Sequence, residues 1–126
     1  MELDFVENVN GLDEHIVRLF NFDMAEAILL RDLLQETIVE KREKLDLSQV
    51  DFITRHDCNL IFGLFKSDEG VLTKDKETFF CILTSQGFKE MVALLEPFCK
   101  KESKSFTYLY DIDTPIDLLF APFGKR

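Results

Sequence analysis

The chain has 126 residues, a formal net charge of −9, 46% hydrophobic and 31% charged residues, a composition that folds as one domain spanning 1–126 and lacks the apolar-poor signature of disorder. The acidic balance repels phosphate, so nucleic acid and anionic membrane surfaces are disfavoured as partners. No apolar run reaches the length of a membrane span, and the start Met1-Glu2-Leu3-Asp4 is acidic where a signal peptide is basic, which places the expected location in the cytoplasm.

Residues 1–14 carry Glu2, Asp4, Glu7, Asp13 and Glu14 without a base, with Asn10-Gly11 as a turn signal, and are expected to be a frayed lead-in or an edge strand. Ile16 to Phe22 is short, β-branched and aromatic, which predicts a strand. Asp23 stands where an N-cap belongs. Met24 to about Arg42 is rich in Ala, Leu, Glu and Gln and predicts a helix whose apolar face holds Ala27, Leu30, Leu33, Leu34 and Ile38.

Val50 to Arg55 and Asn59 to Phe65 are strand-like runs around His56-Asp57-Cys58, a spacing suited to a hairpin. Lys66 to Glu77 is charged and contains Gly70, and is expected to be an exposed loop or hairpin arm. Thr78 to Leu83 predicts a strand. Thr84 or Ser85 then caps a second helix bearing Phe88, Met91, Val92 and Leu95, with Pro97 ending or kinking it near Glu96. Ser105 to Tyr110 predicts a strand, and Asp113-Thr114-Pro115 opens either a short helix or turn over Pro115 to Phe120 or a closing edge strand over Ile116 to Phe120. The order suggests an α+β fold, a two-layer sandwich of a mostly antiparallel five- to six-stranded sheet with two helices, ferredoxin-like in broad terms.

Chemistry has few places to reside. Asp51, Arg55, His56, Asp57 and Cys58 gather an acid, a base and a thiol, and a catalytic reading would have His56 deprotonate Cys58. A wet hairpin tip without an oxyanion site favours a polar turn instead. Two histidines, His15 and His56, and three scattered cysteines give no metal pattern, and five unclustered glycines give no phosphate-binding loop, so neither metal nor cofactor is expected. Asp51, His56, Cys58, Tyr108, Tyr110 and Asp111 are the candidate ligand-binding residues.

The apolar pattern is more telling. A sheet with one wet face should alternate, yet Leu60, Phe62 and Leu64 are opposed by Ile61, Gly63 and Phe65, and Phe80 and Ile82 by Phe79, Cys81 and Leu83. Both faces of the sheet are therefore expected to be covered, by the tail residues Ile116, Leu118, Leu119, Phe120 and Phe123, by a second copy of the chain, or by a ligand or another protein. Phe62, Leu64, Phe80 and Ile82 are the candidate interface. The expected function is a non-enzymatic binding or regulatory domain, homodimeric or bound to another protein. The alternatives are a small enzyme or ligand-binding protein with a site near His56, and an acidic inhibitor or immunity-type protein steered to a basic partner.

Overall fold

In a computed structural model that describes residues 1–9, 14–112 and 115–123, the chain forms two mixed β-sheets and two helices. The strands in chain order are β1 (Glu2–Val9), β2 (Glu14–Phe20), β3 (Leu45–Asp46), β4 (Thr54–Arg55), β5 (Asn59–Leu64), β6 (Gly70–Thr73), β7 (Thr78–Leu83), β8 (Thr107–Tyr110) and β9 (Ile116–Ala121). Sheet A has the order β4-β1-β2-β9-β8 and sheet B the order β3-β5-β7-β6. The α+β class expected from the sequence is present. The single, mostly antiparallel sheet is not: β1–β4, β2–β9 and β5–β7 are parallel pairs. Each joins strands separated by other elements, so hydrophobic patterning along the chain does not reveal it.

Helix α1 (Met24–Leu33) starts where its cap predicts, because Asp23 accepts a hydrogen bond from the Glu26 N–H at 2.9 Å and Glu26 accepts one from the Asp23 N–H at 3.4 Å. It continues in a wider π-type register over Leu34–Glu40 and ends in Arg42, at φ 59°. Ala27, Leu30, Leu34 and Ile38 are fully buried along its inner side. Helix α2 (Ser85–Lys100) is capped by Thr84, whose hydroxyl accepts from the Gly87 N–H at 3.0 Å. Pro97 neither ends nor stops it. Pro97 and Ala93, four residues earlier, are both exposed, so water can satisfy the carbonyl that loses its partner, while buried Phe98 and Cys99 hold the last turn down.

Helix α2 bridges the sheets. Its Phe88 meets Phe62 of sheet B edge-on at 6.1 Å, and its Phe98 meets Phe120 of sheet A at 5.0 Å. Phe5 of β1 and Phe79 of β7 make a direct contact between the sheets, at 4.5 Å. The inward residues of both sheets and both helices form one continuous core.

Two local expectations are revised, and the hairpin arm expected within 66–77 is present. The run from Val50 contributes only the two-residue β4, which pairs with β1, so His56 to Cys58 passes from sheet A to sheet B instead of closing a hairpin. The charged stretch 66–77 contains β6, antiparallel to β7. The tail forms β9, parallel to β2 within sheet A, with Ile116, Leu118 and Phe120 in the core. The Asn10-Gly11 turn and the Asp113-Thr114 cap lie outside the described residues.

Candidate functional site

The register of sheet B decides which of its apolar residues face inward. Leu60 lies beside Phe79, Phe62 beside Cys81 and Leu64 beside Leu83, and this side packs into the core. The alternate residues point outward. Across β5, β7 and β6, Ile61, Phe80 and Leu72 form one row, and Gly63, Ile82 and Gly70 form the next. Phe80 is 39% exposed and Leu72 45%. A Cβ on Gly63 would sit 3.3 Å from Ile82 Cδ1, so the Ile82 side chain lies over Gly63. Leu72, Thr73, Lys74, Phe80 and Ile82 border a depression of about 210 Å³ on this face.

Parallel strands are normally covered on both sides. In the β5–β7 pair the inner side is buried, whereas on the outer side Phe80 is exposed and Ile61 and Ile82 are half-buried. From strands of two, six, six and four residues rising about 3.3 Å per residue and about 4.8 Å apart, the outer side spans roughly 290 Å². Patches of that size on monomers are often functional.

Sheet A offers the opposite surface. On its outer side Arg18 makes a two-bond ion pair with Asp4, at 2.7 and 2.5 Å, and its guanidinium lies 4.2 Å from the centre of the Phe20 ring. Glu2 accepts hydrogen bonds from Asn21 and, at 2.7 Å, pairs with His56 Nε2. These bonds hold the Glu2 carboxyl below its usual range. The small apolar cluster of Ile16, Phe20, Leu119 and Ala121 is buried beside these polar side chains. Sheet A is thus a satisfied polar face, and sheet B a bare apolar one.

The candidate polar residues separate into two groups. Asp51 is an exposed turn residue, and His56 and Cys58 follow β4. Tyr108, Tyr110 and Asp111 lie at β8, the opposite edge of sheet A, four strand spacings or about 19 Å away. His56 pairs with Glu2, while Cys58 is buried beneath a polar depression of about 430 Å³ that also includes Arg55, Asp57, Asn59, Glu77 and Thr78. Tyr108, Tyr110 and Asp111 line a smaller cleft of about 130 Å³ against α2, with Asp68, Glu90 and Leu94. Among the described residues no cluster of three or more histidines, cysteines or carboxylates could hold a metal ion.

Burial, with Asp4 adding to it, pushes the Cys58 thiol up to about 11. Burial also raises Cys81 and Cys99. At pH 8 only about one part in a thousand of Cys58 is thiolate. The folded protein is therefore expected to react slowly with a disulfide reagent at pH 8 and to release three thiols on denaturation; rapid labelling of Cys58 in the folded state would contradict this placement.

Near β8, burial, with Asp111 and Glu14 behind it, holds the Asp117 carboxyl above its usual range. A raised carboxyl favours the fold when protonated, so its contribution is present below pH 3.8 and lost as pH rises through the folded value. Asp117→Asn is expected to raise the thermal midpoint at pH 7 and leave it unchanged at pH 3; an equal gain at both would point to packing instead of charge.

Of the four candidate interface residues, the register turns Phe62 and Leu64 toward the core and Phe80 and Ile82 outward, where Ile61 and Leu72 join them. Leu72 escaped the sequence reading because β6 is short and lies within a charged stretch. A comparison with models of known protein families gives no match, and a comparison with characterised protein sequences gives none. Among the described residues no helix is long and apolar enough to cross a membrane.

Proposed function

We propose that the protein is a non-enzymatic binding domain that works by self-association through the outer face of sheet B. The observation that carries this reading is the apolar row Ile61, Phe80 and Leu72 across β5, β7 and β6, in which Ile61 is half-buried and Phe80 and Leu72 are exposed. A small-molecule site is less well supported. The two polar depressions are open to solvent or small, and the candidate acids, thiol and imidazole sit in separate places or are engaged with structural partners.

Two copies of the face bury roughly 600 Å² in total, about half of the roughly 1,200 Å² at which stable specific interfaces begin. The association is accordingly weak and concentration-dependent. Light scattering coupled to size-exclusion chromatography from low micromolar to millimolar protein is expected to show the mass rising from monomer toward dimer. A monomer throughout that range would overturn the reading.

A further inference from the structure

The cleft between helix α2 and the end of β8 carries a second contact, of a different kind and independent of sheet B. We propose that it takes a lysine or arginine side chain, flanked by apolar residues, from a segment of another protein. Helix α2 supplies one wall through Gly87, Glu90, Met91 and Leu94, which recur at positions i, i+3, i+4 and i+7 and so share one face of the helix. The opposite wall comes from β8 and the residues that follow it, Asp111 and Ile112.

Local interactions set the shape. Asp68 accepts hydrogen bonds from the Thr84 N–H at 2.7 Å and from the Thr84 hydroxyl at 2.9 Å, which fixes it beside the first turn of α2. A Cβ on Gly87 would stand 2.8 Å from Asp68 Oδ1, so a side chain at this position would displace the carboxylate from the cleft. The cleft measures about 130 Å³. That is room for one side chain, well below the roughly 300–1,000 Å³ of small-molecule pockets. Leu94 and Ile112, 40% and 61% exposed, leave apolar surface open along it.

Charge identifies the occupant. Asp68, Glu90 and Asp111 line the cleft, and among the described residues no cation does. None of these three carboxylates belongs to an ion pair among the described residues, whereas Arg18, Arg31 and Lys76 each hold a carboxylate elsewhere on the surface. Long cationic side chains lay an apolar stem along apolar surface and keep the charged head in polar surroundings. Leu94 and Ile112 suit the stem, and the three carboxylates suit the head. The net charge of −9 draws such a segment in from a distance.

Methyl-detected NMR on the full chain, titrated at low salt with the blocked peptide acetyl-Leu-Lys-Leu-Lys-amide, tests the assignment. The methyl groups of Leu94 and Ile112 are expected to shift while those of Ile61 and Leu72 on sheet B stay in place. The same peptide with both lysines acetylated is expected to bind at least about 10-fold more weakly, and Glu90→Lys to weaken the unmodified peptide about 10-fold. Asp51→Lys makes the same change in net charge at the opposite edge of sheet A and is expected to stay within about 3-fold of the unmodified chain. Circular dichroism checks that these exposed changes leave the fold intact. Absence of shifts at Leu94 and Ile112 with millimolar peptide, or equal binding of the acetylated peptide, overturns the proposal. An equal loss in Asp51→Lys and Glu90→Lys does so too, because attraction to the net charge then suffices. Spermine binding the cleft as tightly as the peptide would assign it to a free amine and overturn the protein contact. Sheet B takes no part, so each outcome stands apart from the self-association reading.

Discussion

Phe80→Asp is expected to leave the chain folded and monomeric at concentrations where the unmodified chain associates. The ring is 39% exposed on β7 and occupies the middle of the apolar row, between Ile61 and Leu72. Its removal takes away the largest apolar surface in the contact, and the new carboxylate would have to be desolvated against the second copy. Association is expected to weaken by at least about 100-fold, equivalent to about 2.7 kcal/mol or more. In the monomer the Asp side chain faces water, so the urea midpoint measured at low micromolar concentration should move little. Dimerisation that survives this change would move the contact to another surface, whereas loss of the folded signal would mean that the Phe80 ring belongs to the core.

The neighbouring change has the opposite signature. Phe79→Ala is expected to remove about 3–5 kcal/mol of folding stability, since Phe79 is wholly buried and meets Phe5 across the gap between the two sheets at 4.5 Å. That is a large part of the 5–15 kcal/mol by which domains are usually stable. Urea unfolding followed by circular dichroism gives the loss directly. A loss below about 1 kcal/mol would show that the sheets do not pack through this ring. The two adjacent phenylalanines thus separate folding from association: one side of β7 holds the protein together, and the other is available to a partner.

Helix α1 was legible because its signals are local. Asp23 caps it, the residues after it are good helix formers, and Ala27, Leu30, Leu34 and Ile38 recur at helical spacing. The second helix was equally plain from Thr84 onward, apart from Pro97, whose effect depends on whether the carbonyl at Ala93 can reach water. Strands β5 and β7 were also legible, down to the fact that both of their faces are apolar.

What could not be read was pairing between strands distant in sequence. Strand β9 binds β2 about a hundred residues earlier, and nothing in either segment marks the other as its parallel neighbour. The same limit applied at the site. Alternation shows that Phe62 and Leu64 share one face of β5 and that Phe80 and Ile82 share one face of β7, but only the register reveals that these faces are opposite. Arg18 illustrates a signal that was present and unused. It interrupts an apolar strand, and pairing β1 with β2 as neighbours sets Asp4 directly across from it.

The central claim is that the protein acts through the outer face of sheet B, and methyl-detected NMR on dilution from millimolar to low micromolar protein tests it most directly. The methyl groups of Ile61, Leu72 and Ile82 are expected to shift as the two faces separate, while those of Ile16 and Leu119 on sheet A stay in place. Shifts confined to sheet A, or no shifts on sheet B as the mass falls to monomer, would contradict it.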